Sequence, residues 1–292
     1  LKTLKEKVIN AANDTNTDAD RQTIQKELDQ SIDQINDNAN VTYNGKYLVD
    51  GSHNSKVSAT TTSMTNQSLN TGTAFASTFT QLTDRNGNSL NIQTSDTITL
   101  SYVKEGKTHT VTATGASTIT NILAEGTAAN DLKAGTATSV IGKDIAGDTV
   151  FTADGSSGLT ITAAGTGIEN QISGITFSVT DTKGNVKKSA NALLDNFSES
   201  IRAQNPSNDN SINLQVGTKS NQAIKVGLTD MRAEALGLQA KDGTTLNIST
   251  KEYANAAINV LDSAVQKALD QQTTIGAVQS RLEYTSSNLT TA

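Results

Sequence analysis

Residues 250–289 read TKEYANAAINVLDSAVQKALDQQTTIGAVQSRLEYTSSNL, and this stretch decides the fold. Apolar or small residues recur at Ala254, Ala257, Leu261, Ala264, Ala268, Ile275, Val278 and Leu282, in steps of three and four that only Gln271 interrupts. That spacing is the seam of a long helix burying a narrow stripe against other helices. Ser249 or Thr250 can cap its start, because a hydroxyl oxygen accepts a bond from a free N–H of the first turn. A helix of about 40 residues spans about 60 Å. It does not stand alone in water and calls for a partner helix of similar reach.

Partners lie at the other end of the chain. Leu1, Leu4, Val8 and Ala11 keep the same spacing, which predicts a short amphipathic helix. Asn13-Asp14-Thr15-Asn16 breaks it, and Thr17 caps a second helix with Asp18 and Asp20 near its positive end. This helix runs to about Asn38, with Ile24, Leu28, Ile32 and Ile35 on one face. Both helices are expected to pack on the C-terminal one, with everything between inserted from one end of the rod. Val41 to Asp50 reads as a hairpin turning at Asn44-Gly45, a pair that tolerates positive φ.

The span from Ser52 to about Thr83 is rich in Ser, Thr and Asn and reads as extended linker or weak strand. Leu90 to Val186 is β-like. Ile98-Leu100-Tyr102, His109-Val111-Ala113, Leu159-Ile161-Ala163 and Ile175-Phe177-Val179 alternate with threonine, serine and other residues. Ala116–Ala124 and Ala190–Ala203 read as short helices. Ile212 to Gly217 and Ile224 to Leu228 form two strands around Lys219-Ser220-Asn221, and Asp230 to Leu238 reads as a turn of helix.

Composition narrows the function. The 292 residues suit two domains, and a net charge of −6 with pI about 5.0 disfavours a nucleic-acid partner. There is no cysteine, hence no disulfide or thiolate chemistry. Aromatics are only 3%, which predicts thin cores and stability gained by assembly. No run is long enough to span a membrane, no signal peptide opens the chain, and Leu1 already lies inside a helical pattern, as in a fragment trimmed at both ends.

Four stretches carry a family resemblance: LKTLKEKVINAANDTN at 1–16, YNGKYLVDG at 43–51, LQVG at 214–217 with DMRAEALGL at 230–238, and IGAVQSRLEYT at 275–285. In that order, at both ends of the chain, they resemble bacterial flagellin, the subunit of the flagellar filament. The resemblance covers about two fifths of the chain; the middle is similar only in being variable, as the outer domain of flagellins is. It implies an α+β fold, a long-helix rod with N- and C-terminal helices packed antiparallel and small β-hairpins, carrying an inserted, mostly-β variable domain. The division implied is 1–52, 53–210 and 211–292. It further implies a secreted, extracellular structural protein of motility, without cofactor, metal or membrane anchor. Its partners would be other flagellin subunits, an export chaperone and the filament cap. Further terminal helices that build the filament's inner tube are not among these residues, so the fragment is not expected to polymerise.

Flagellins also resemble one another in a face recognised by the innate receptor Toll-like receptor 5. On this chain the face falls at Lys2, Thr3, Lys5, Glu6, Lys7 and Glu27, with Gln279 and Arg281 on the C-terminal helix. Thr3 stands where the family has arginine, and Lys7 where it has leucine. Each loss removes a typical hot-spot residue, and receptor binding is expected to be weak.

Other chemistry is poorly supported. His53 and His109 lie in different segments, Asp14, Asp18 and Asp20 lack EF-hand spacing, and Gly165-Thr166-Gly167 lacks the lysine of a phosphate loop. No acid–base constellation converges on an enzyme site. The alternative is an adhesin-like binding module acting through the middle domain, for which aromatic residues are scarce.

Overall fold

The structure is a computed structural model and describes residues 1–217 and 222–291. The C-terminal seam forms α6 (Lys251–Thr291), and the Thr250 hydroxyl accepts from Tyr253 N at its start. Ala254, Ala257, Val260, Leu261 and Ala264 are fully buried. Against them lies α1 (Lys2–Ala11), burying Leu4, Val8 and Ala11. Lys5 pairs with Asp262 and Asp14 with Lys251, so the two segments run antiparallel. Alanines on the α6 seam leave room for that close approach. Each fully buried Leu, Ile or Val contributes about 1.5–3 kcal/mol, so this small core depends on few residues.

The second helix, α2 (Asp18–Ala39), begins with a capping box. Thr17 Oγ1 accepts from Asp20 N at 3.3 Å, and Thr17 N donates to Asp20 Oδ2 at 2.9 Å. Thr17→Ala should lower stability by about 1 kcal/mol in urea unfolding, and an unchanged midpoint would show that the box adds nothing. Arg21 is buried and closes the corner, donating from Nε to Ala11 O at 2.9 Å and from Nη2 to Asn13 O at 3.0 Å. These bonds satisfy carbonyls that the end of α1 leaves open.

The expected docking of α2 on the C-terminal helix is corrected. The face of α2 meets chiefly the return segment 233–248. Gln25 Nε2 donates to Leu246 O, Ile248 N to Gln25 Oε1, Ala233 N to Asn36 Oδ1, and Thr245 Oγ1 to Asp29 Oδ1. This segment competes successfully because its exposed backbone needs partners that polar residues of α2 supply. Residues 230–238 form successive turns, not a helix, ending at Gly237 with φ +81°. Its Cα faces Ser173 closely enough that a Cβ would sit 2.2 Å from Oγ.

The hairpin β1 (Thr42–Tyr43) and β2 (Lys46–Tyr47) turns at Asn44 and Gly45, both at positive φ. The middle region holds two main sheets. One has β10 (Ile172–Thr180), β4 (Thr97–Lys104) and β5 (Lys107–Thr114) in that order; the other has β11 (Phe197–Ile201), β3 (Ser63–Asn66), β9 (Leu159–Ala163) and β6 (Leu132–Ala134). A small hairpin, β7 (Val140–Lys143) and β8 (Thr149–Phe151), stands beside them. Short helices α3 (Ile119–Leu123), α4 (Ala128–Asp131) and α5 (Lys188–Leu194) pack against this body. Its core joins Phe79, Ile98, Leu100, Tyr102, Ile161 and Phe177.

Three expectations change here. The Ser/Thr-rich stretch contains β3, buried throughout and second in its sheet. Its polar side chains are paired, Thr65 with Thr160 at 3.0 Å and Asn66 Nδ2 with Leu193 O at 2.7 Å, so their burial is tolerated. Residues 190–203 are helix only to Leu194 and then become β11. The middle region also docks along the side of α6 rather than extending only from the rod's end: Val103 of β4 joins the helical core, and Gly174 of β10 meets Asn259 and Val260.

One repeated device escaped the sequence reading. Asp84, Asp144 and Asp181 each open a turn of pattern D-x-x-G-[ND], at 84–88, 144–148 and 181–185. Each carboxylate accepts backbone N–H groups two and four residues on. Gly87, Gly147 and Gly184 take the positive φ these turns need.

Strands β12 (Ile212–Gln215) and β13 (Ala223–Val226) pair as expected; the expected turn at 219–221 lies outside the described residues. With Leu228, Leu48 and Val49 they form a small core that reaches Val278 and Leu282 of α6.

Candidate functional site

On α1, burial of Leu4 and Val8 turns Lys2, Thr3 and Glu6 to solvent and leaves Lys5 and Lys7 on the flanks. Lys5 reaches across to Asp262 of α6, and Lys7 reaches Glu27 of α2. Both pairs are largely exposed, which limits each to well under 1 kcal/mol. Asp14, salt-bridged to Lys251 farther along the same helix pair, has its carboxyl held below the usual range by that hydrogen bond. Lys2, Thr3, Lys5, Glu6 and Lys7 thus lie together on α1, with Glu27 of α2 joined to them through Lys7.

Gln279 and Arg281 do not join them. Along α6 they lie 17 and 19 residues beyond Asp262 (279 − 262 and 281 − 262), about 25 Å or more at 1.5 Å per residue. Gln279 donates instead to Glu283 Oε1 at 2.9 Å. This distal part of α6 carries its own feature. Val278 and Leu282 cover the β12–β13 core, whereas Ile275 is 44% and Tyr284 74% exposed. Tyr43 and Tyr47 of the β1–β2 hairpin are exposed as well.

Other candidates resolve into structural roles. His53 contacts Asn210 O at 3.3 Å, and His109 stacks on Tyr102 with ring centroids 5.1 Å apart. Asp18 pairs with Arg21, and Asp20 belongs to the capping box, whose Thr17 holds its carboxyl below the usual range. Among the described residues no group of three or more His, Cys, Asp or Glu is placed to hold a metal.

A groove of about 450 Å³ lies between β11 and α6. Asp195, Glu199, Arg202, Asn259, Asp262 and Gln266 line it, with Met64, Ile175 and Phe197 as apolar floor. Asp195 accepts from Phe177 N at 2.6 Å, yet burial pushes its carboxyl up to about 6. The groove has one aromatic wall, Phe197, which is a sparse platform for a sugar.

Residues 1–54 match the family described as bacterial flagellin N-terminal helical region. Along the rest of the chain the similarity is to flagellins as well. The chain is 28% identical over 296 residues to a flagellin of Clostridium tyrobutyricum, covering 100% of this chain and 65% of that one. It is 30% identical over 139 residues to a flagellin of Bacillus subtilis (strain 168), covering 42% of this chain and 45% of that one. The chain therefore spans about half to two thirds of the length of these flagellins. Among solved structures it is similar to FliC from Burkholderia pseudomallei, at 17% identity and a TM-score of 0.30, over 96% of this chain and 92% of that one. The flagellin helical region, residues 1–54, includes α1, α2 and the β1–β2 hairpin, and so six of the eight candidate face residues.

Proposed function

We propose that this chain is part of a structural subunit of the bacterial flagellar filament, acting outside the cell in motility and carrying no catalytic activity. The observation that supports it most is the pairing of a flagellin-like helical region with a distal α6 whose apolar stripe, Ile275, Val278 and Leu282, stays partly open. Contiguous apolar residues on a long helix suit side-by-side packing with other helices. In this reading 1–52 and 211–292 form the rod, and 53–210 is the surface domain. Partners are further subunits, an export chaperone and the filament cap. An antibody raised against residues 53–210 should decorate the whole shaft of the source cell's flagellum in immunogold microscopy. Labelling confined to the cell body or absent from the shaft would sink the assignment.

The α1 face also supports a reading as a weak Toll-like receptor 5 ligand. Lys2, Thr3 and Glu6 are open to a partner, but Lys7 replaces an apolar anchor and ties up Glu27. Two missing hot-spot contacts amount to roughly ten- to a hundred-fold in affinity each. Thr3→Arg with Lys7→Leu should raise potency in a receptor reporter assay by at least tenfold; no gain would end this reading.

A further inference from the structure

Beside the apolar contact of Val103, polar groups join the middle region to α6. Asn259 Nδ2 donates to Ile175 O at 3.1 Å, and Lys267 Nζ to Gln171 Oε1 at 3.2 Å. The 450 Å³ groove lies beside these contacts, so packing there is incomplete. Four charges cross the joint. Glu199 faces Lys267 at 3.6 Å, and Arg202 pairs with Asp270. Glu199 and Arg202 are three residues apart, as are Lys267 and Asp270 (202 − 199 and 270 − 267).

That order discriminates between positions along the helix. Sliding the middle region one turn of α6, about 5.4 Å, toward the helix N-terminus sets Arg202 opposite Lys267. Sliding it the other way sets Glu199 opposite Asp270. Both slips oppose like charges, and the native position alone satisfies both pairs. Glu199 and Lys267 are 5% and 6% exposed, so water screens them poorly, while Glu199 Oε2 has no hydrogen-bond partner. A buried pair this imperfectly bonded is a weak source of stability and a strong source of register.

We propose that Glu199, Arg202, Lys267 and Asp270 form a register clasp. It holds the middle region at one position along α6, and its loss lets that region leave the helix with its own core intact. The core that would persist is the one built on Phe79, Leu100 and Phe177, which is separate from the helical core. The inference rests on reading 53–210 as a domain of its own.

The chain has no cysteine, so nitroxide labels can be placed at Glu125→Cys and Gln272→Cys, both exposed positions. Distance distributions from pulsed electron resonance then report docking. The parent should give one narrow peak. Arg202→Asp alone or Asp270→Arg alone should raise the undocked, broad fraction about tenfold. The double variant should dock again, but spread over registers about 5 Å to either side of the native one, because both slips now oppose unlike charges. An unchanged narrow peak in both single variants would overturn the clasp. A double variant that docks with one peak would overturn its role in register. Loss of helical and sheet circular dichroism together in the single variants would instead overturn the separate-domain reading.

Discussion

Asp195→Asn makes the protein more stable than the parent at pH 7.5, by about 1–2 kcal/mol, and no more stable at pH 4. Asp195 ends α5 at the wall of the groove, where burial raises its carboxyl to about 6 against an ordinary 3.8. The folded state therefore prefers the protonated acid. Ionisation carries no penalty below the unfolded value, and the penalty grows from about pH 4 to pH 6 and is complete above. A shift of about two units corresponds to about 3 kcal/mol, and the carboxyl's contact with the open groove reduces that. Asparagine keeps an oxygen for Phe177 N, the 2.6 Å bond, and points its amide into the groove. Urea midpoints of parent and variant, compared from pH 4 to pH 8, should diverge as pH rises. Parallel curves would show that Asp195 is already solvated.

Lys267→Met should destabilise the protein by about 3 kcal/mol, and adding Glu199→Leu should recover most of it. Lys267 is buried, and burial outweighs the pull of Glu199 to hold its ammonium below the ordinary range. Removing one member of a buried pair strands the other, which typically costs 3–5 kcal/mol. Arg202 Nε, 3.4 Å from Glu199, tempers the loss. Replacing both with apolar groups removes the stranded charge and is often neutral or stabilising. A depressed lysine also makes the parent gain stability as pH rises through its folded value toward 10.5. The double variant should lose that gain. Equal stability of the single and double variants would show that Glu199 is not stranded.

Much of the helical frame was legible because helices are written in neighbouring residues. The cap at Thr17, the seam from Ala254 to Ala264 and the turn at Asn44-Gly45 all depend on neighbouring groups along the chain. Strand β3 was not legible: Ser63, Thr65 and Asn66 look like linker until Thr160 and Leu193 supply their partners. The α5–β11 boundary was missed because Ala190 to Ala203 contains no proline or glycine to mark the change. Of the candidate face, the sequence located α1 and α2 residues together, but it put Gln279 and Arg281 beside them. The long reach of α6 separates them.

The sequence by itself determined that this chain builds helices at both ends, where the motifs that resemble flagellins lie, and turns and alternating strands between, since those follow from spacing, capping and backbone preference. The tertiary structure decided what covers each face. It chose the 233–248 segment over α6 for α2, buried a Ser/Thr strand, and set Glu199 and Arg202 against Lys267 and Asp270. Those outcomes rest on residues far apart in the chain, whose meeting depends on how whole elements pack and which buried polar groups can be satisfied at once.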